Sequence, residues 1–233
     1  MGFFPDGERM QELATVTEDT HPMRRLLDGA YVQVLNGFGV FTPATELARE
    51  YLAKNAGDPH RAAQDLILWQ TTKAATSGFL SNLGGIATLP VAIPANISSV
   101  LYVQIRMIAA IAVMGGYEIE SDKVRTLVYT SLLGTAAADI LKDAGIRLGE
   151  RLTRTAIERL TGAVAKNMAS SVAARLMARL GLASAGNLSK LIPIAGGVVG
   201  AAVDAAATQA VGAVAVKLFL TEKEAVVAPS RSD

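Results

Sequence analysis

Apolar residues recur at helical spacing along most of the chain, and capping residues divide this pattern into separate helices. The first is predicted over residues 22–35, ending near Asn36 and Gly37. Proline in the first turn, or glycine after the last, marks others over about 43–55, 59–83, 95–114, 122–144, 147–161, 163–180, 188–192 and 196–220. No alternating apolar and polar run is long enough to indicate a strand. The pattern therefore predicts an all-α fold.

The expected architecture is a single compact multi-helix domain with core helices rich in Gly and Ala. It would occupy residues 22–221, after a weakly ordered N-terminal segment, 1–21, and before a disordered tail, 222–233. In the 59–83 helix, the predicted apolar side contains Ala62, Leu66, Leu68 and Trp69.

Composition makes the apolar surface the main question. Hydrophobic residues make up 51% of the 233 positions and charged residues 18%, below the usual quarter or so. Either a large buried core or contact with lipid would account for this. The net charge of +1 favours no nucleic-acid partner. The chain has no cysteine and starts with an acidic segment that lacks a signal-peptide pattern, so we expect a cytoplasmic protein, placed peripherally at the inner face of a membrane if it binds one.

Two segments have the length and polarity to meet a membrane. No charged residue lies between Lys73 and Arg106, and Asp204 is the sole charge from Leu191 to Val216. Prolines interrupt the first segment, where Leu89, Val91 and Ile93 form an apolar loop. Three readings stay open: membrane spans, a buried helical core, or a domain that docks this loop on a membrane.

A basic run lies between residues 146 and 180, with seven basic and two acidic side chains. A solvated helix face is the simple interpretation. The alternative is a surface for anionic lipid headgroups, with contacts predicted from the arginines at its start: Arg147, Arg151, Arg154 and Arg159.

Candidate chemistry is sparse. Two scattered histidines and no cysteine predict no metal site, and no motif predicts a cofactor. Tyr102 and Arg106 share one helix face, and Asp122 and Arg125 share another. Because a buried charge is costly unless it is paired, we expect Arg106 to pair with Asp122, Asp139 or Asp204. These residues would form either buried ion pairs that fix helix register or a polar pocket.

Two long runs carry a family resemblance. Residues 89–134, LPVAIPANISSVLYVQIRMIAAIAVMGGYEIESDKVRTLVYTSLLG, and 191–219, LIPIAGGVVGAAVDAAATQAVGAVAVKLF, resemble the two blocks of the EcsC family over roughly 60–220. The resemblance implies a bacterial protein associated with an ABC transporter, with no agreed catalytic residues.

These observations predict a non-enzymatic accessory protein, associated with a membrane or transporter, that docks through its apolar loop and basic face. One alternative is a helical domain that self-assembles as a homo-oligomer or binds apolar ligands. A second alternative is a hydrolase with an Asp/Arg pocket.

Overall fold

Nine α-helices account for most of the chain that the structure describes. The computed structural model describes the backbone of residues 7–74, 95–149, 152, 154–180 and 197–220, and the side chains of 22–72, 97–149, 152, 155–180 and 205–220. The helices are α1 Gly7–Asn36, α2 Ala44–Lys54, α3 Pro59–Ala74, α4 Ala95–Met114, α5 Asp122–Ser131, α6 Ala137–Asp143, α7 Arg154–Glu158, α8 Gly162–Arg179 and α9 Gly197–Phe219. A 3-10 segment, Gly134–Ala136, joins α5 to α6. The all-α prediction is confirmed.

Helix α4 lies at the centre of this single arrangement and contacts α1, α2, α3, α5 and α9. By length and composition its segment Ile97–Met114 is sufficient to cross a membrane, and it is the one such segment in the described part of the chain. Other helices cover it, so that 78% of the segment is buried. Its apolar side chains, Ile105, Ile108 and Ile111 among them, form the middle of the hydrophobic core.

Helices α4 and α9 run in the same direction, and α9 also packs along α3. Gln104 of α4 donates a hydrogen bond to the hydroxyl of Thr208 in α9 at 3.2 Å. Gly212 lets α9 approach α3 closely, because a Cβ atom at this position would stand 2.6 Å from Cγ1 of Ile67. A small residue of a Gly- and Ala-rich core helix thus permits close helix packing at this position.

Three predicted helix boundaries were wrong. Helix α1 begins at Gly7 and continues through Pro22. Because proline has no backbone N–H, the helix loses one hydrogen bond at this position. The predicted 122–144 helix is divided at Gly134, whose φ of +58° ends the first part. The predicted 147–161 helix is reduced to α7, because Gly149 has a φ of +87° and donates its N–H to the Lys217 carbonyl of α9 instead of forming a helical turn.

Short connections position the residues around α2 and α3. Phe38 and Phe41 exchange two backbone hydrogen bonds of 2.9 Å across a tight turn that precedes α2. The carboxylate of Asp58 accepts the backbone N–H groups of His60 and Arg61 and so caps the start of α3. The turn places Phe41 and Thr42 against α4.

Candidate functional site

Arg106 is buried against the segment that precedes α2, and its predicted pairing with Asp122 or Asp139 is wrong. Its Nε donates to the Thr42 carbonyl at 2.8 Å and its Nη2 to the Thr42 hydroxyl at 2.9 Å. The guanidinium also lies 5.4 Å from the centre of the Phe41 ring. Burial lowers the pKa of Arg106 from its ordinary value, opposed by Tyr102 and by Glu50 of α2. Oxygen atoms and an aromatic face stabilise this cation, and no carboxylate of a described residue is within ion-pair distance.

The two acids have exposed partners on their own part of the surface. Asp122 forms a 2.6 Å ion pair with Arg125 one turn away, and Asp139 lies 3.8 Å from Arg175 of α8. The side chains of both acids are more than three-quarters exposed. Both acids lie at helix starts that face solvent, where a charge is hydrated, so Arg106 is not needed as a partner. The side chain of Asp204 is outside the described residues.

Tyr102 belongs to an aromatic cluster. Its ring lies 5.6 Å from that of Phe41 and 6.5 Å from that of Phe38, both edge-on. The residue is fully buried, and its hydroxyl has no hydrogen-bond partner among the residues that the structure describes. Burial raises the pKa of Tyr102 above its ordinary value, with Arg106 acting in the opposite direction. The tyrosine is therefore a neutral packing residue at physiological pH.

The described polar residues thus do not assemble a reaction centre. Tyr102 and Arg106 face α2, while Asp122, Arg125 and Asp139 lie on the exterior in ion pairs. Within the described ranges, no three His, Asp or Glu side chains are close enough together to hold a metal ion.

The predicted lipid contacts fall into two groups. Leu89, Val91, Ile93 and Arg151 lie outside the described residues, and so does the side chain of Arg154. Arg147 and Arg159 are exposed, but they lie in separate segments before and after α7, not on one basic helix.

An open groove between α3 and α9 is a site that the sequence did not indicate. It has a volume of about 640 Å³, within the range of small-molecule sites. The residues that line it, here called the α3–α9 groove, are His60, Gln64, Ile67, Leu68, Thr71, Gly149, Gln209, Ala213, Val216, Lys217 and Leu220. These described residues include one lysine, Lys217, and no aspartate or glutamate.

Two large apolar side chains are exposed at this groove: Leu68, which lines it, and Trp69, the next residue of α3. Leu68 is 66% exposed and Trp69 45% exposed, although the sequence placed both on the buried side of the helix. Ala62, Ala63 and Leu66 face the core instead. The spacing gave a signal for Leu68 alone, since at 3.6 residues per turn it lies about 200° around the helix from Leu66, whereas Trp69 lies only about 60° from Leu66.

The family comparison agrees with the resemblance seen in the sequence. The model of the EcsC protein family matches residues 58–221, about the whole length from the cap of α3 to the end of α9. The chain belongs to the EcsC family. No curated protein and no solved structure matches it.

The EcsC match contains all described residues of the α3–α9 groove but only part of the Arg106 site. Every residue that lines the α3–α9 groove lies between 58 and 221. The Arg106 site takes its partners Phe41 and Thr42 from the chain before that region. The groove is therefore built entirely from the EcsC part of the chain.

Proposed function

We propose that this EcsC protein is a non-enzymatic accessory protein that docks peripherally on a membrane through α3. The observation that carries the proposal is the exposure of Leu68 and Trp69 at adjacent positions on one helix. Single exposed apolar residues are common, but large apolar side chains that adjoin one another on a surface can mark a site that meets a membrane or a protein. Tryptophan suits the interface between headgroups and acyl chains, because its ring is apolar and its N–H is polar.

Charge and chain direction support the same face. Lys217 and Leu68 both line the groove, and exposed Arg147 is two residues from Gly149, another groove residue. Each basic residue near an anionic surface is worth about 1 kcal/mol. The chain continues from α3 into the apolar sequence that contains Leu89, Val91 and Ile93. Docking through α3 would bring that sequence close to the same membrane.

The hydrolase alternative loses its support among the described residues. It requires Arg106, Asp122, Asp139 or Asp204 to line a cavity that solvent reaches, and the side chain of Asp204 is outside the described residues. Arg106 is 6% exposed and bound to Thr42, and the two acids form external ion pairs.

The test is vesicle flotation combined with tryptophan fluorescence. Trp69 is the single tryptophan of the chain, so its emission reports this face alone. We expect the protein to float with vesicles that contain phosphatidylglycerol, with a blue shift of the emission and quenching by brominated acyl chains. Neutral vesicles, or high salt with anionic ones, should bind less protein, because the cationic contribution is removed or screened.

A matched pair of variants assigns the face. Leu68→Ser with Trp69→Ser removes both exposed side chains and should abolish flotation. Val40→Ser is the control, because Val40 is 87% exposed but lies in the turn before α2. Undiminished flotation of the double variant, or no flotation of the native protein, would contradict the proposal. A double variant that instead changes the elution volume on a sizing column would assign the pair to self-association.

A further inference from the structure

We infer that the α3–α9 groove binds a single-chain anionic amphiphile, a long-chain carboxylate such as a free fatty acid. This goes beyond docking on a membrane, since the ligand is one molecule taken from solution. The inference stands on the shape, the polarity and the charge of the groove.

The shape suits one extended chain. The α3 wall runs from His60 to Thr71, which is about 16 Å of helix axis at a rise of 1.5 Å per residue. The volume of the groove, about 640 Å³, is that of a site for a small ligand rather than for a protein segment. At the base of the groove α3 and α9 pack closely, because Gly212 has no side chain to collide with Ile67.

The lining has the polarity that an acyl chain requires. Ile67, Leu68, Val216 and Leu220 provide branched apolar side chains along the groove, and Ala213 leaves space between them. The hydroxyl of Thr71 donates to the Ile67 carbonyl at 2.7 Å and is satisfied within its own helix. The other polar side chains of the described lining, besides Lys217, are Gln64 and Gln209, which are exposed and can stay hydrated, and His60, which is half-buried.

Charge selects the headgroup. Among the described residues of the lining, Lys217 is the one lysine or arginine and none is an aspartate or glutamate that would neutralise it. None of the ion pairs among the described side chains involves Lys217. Lys217 is exposed, and a lysine at the rim of an apolar groove commonly packs its four-carbon stem on the apolar surface while its ammonium reaches water. A carboxylate at the end of a bound chain would take the place of water at this ammonium.

Calorimetric titration of the full chain with laurate below its micellar concentration tests the inference, with dodecyl maltoside as the uncharged probe. Ala213→Phe fills the groove and should weaken laurate binding at least tenfold. Ala178→Phe adds the same ring at an exposed position of α8 and should leave binding unchanged. Lys217→Gln should weaken laurate binding roughly two- to fivefold, as for one exposed charge pair, and Lys217→Arg should retain it.

Several results would overturn the inference. One is no laurate binding, and another is equal affinity of the native and Ala213→Phe proteins. If Lys217→Gln weakens laurate and dodecyl maltoside equally, the charged part is wrong. Vesicle flotation separates this inference from the docking proposal, because Ala213→Phe keeps Leu68 and Trp69. A native protein that floats but binds no laurate rejects the inference alone, and one that binds laurate but does not float rejects docking alone.

Discussion

At the scale of single residues, two buried polar side chains of α4, Gln104 and Arg106, are stabilised by hydrogen bonds to residues that are distant in sequence. Arg106 is bound by Thr42, sixty-four positions earlier. As expected, this buried cation has partners, but they are not the carboxylates that were predicted from the sequence. A carbonyl and a hydroxyl also accept from a guanidinium, and they avoid the desolvation of a second charge. Spacing within one helix cannot indicate a partner on another element.

Two buried tyrosines give opposite predictions for the same substitution. Tyr102→Phe removes a hydroxyl that has no partner in the described part of the chain, so the free energy of unfolding should stay level or rise by up to about 1 kcal/mol. Tyr31→Phe is the matched control, since its hydroxyl donates to the Ile119 carbonyl at 2.7 Å. That variant should lose about 1–3 kcal/mol, because a buried acceptor is left unpaired. Urea unfolding followed by far-UV circular dichroism measures both, and a Tyr102→Phe loss equal to that of Tyr31→Phe would contradict this account.

At the scale of elements, helix existence was predictable and helix interruption was not. Caps and prolines gave α2, α4, α8 and α9 to within a few residues, because their signals are local. The break at Gly134 depends on a contact with α9. A Cβ atom added to Gly134 would lie 3.6 Å from the Cβ of Ala210. Gly149 is similarly tied to Lys217. The interruptions are set by tertiary contacts with α9, so the pattern of one segment does not contain them.

Gly212 is expected to control the distance between α3 and α9. Gly212→Val should destabilise the protein by about 1–3 kcal/mol, because the new side chain overlaps Ile67 and forces the helices apart. Gly162→Ala is the control, as nothing lies within 4 Å of its Cβ position at the start of α8. It should be neutral or slightly stabilising.

Thermal unfolding measures both glycine variants, and Ile67→Ala tests the cause. Combined with Gly212→Val it should cost less than the sum of the two single changes, because the clash is relieved. A strictly additive double variant would show that Ile67 is not what Gly212 accommodates.

At the scale of the whole molecule, the fold class and the family followed from the sequence, while the groove required the assembled structure. Its two walls are 150 or so positions apart, and neither has a motif. Apolar residues at 68 and 69 were assigned to the core because most apolar residues of a helix are buried. Only the packing of Ala62 and Leu66 against the core shows that the other face of α3 is exposed.

The core as a whole predicts an alkaline limit to stability. Burial raises the pKa of Tyr31, Tyr102 and Tyr129 above the ordinary value of 10, and Asp28 adds to the shift at Tyr129. Above about pH 10 the unfolded chain therefore loses protons that the native state retains, so the free energy of unfolding falls as pH rises. Stability from these groups is fully present below pH 10 and is lost progressively above it.

Urea unfolding at intervals between pH 8 and pH 11.5 measures this limit, with tyrosinate absorbance recorded at each pH. Each buried tyrosine contributes a slope of about 1.4 kcal/mol per pH unit once its unfolded form is ionised. Tyr129→Phe should lower the slope by that amount, apart from any change in stability at neutral pH from the lost 3.0 Å hydrogen bond to Asp28. Tyrosinate formation at these three positions should coincide with unfolding, because the native core holds the phenols neutral. If their absorbance rises near pH 10 while the helical circular dichroism stays constant, solvent reaches the phenols in the native state and the aromatic core is looser than its packing indicates.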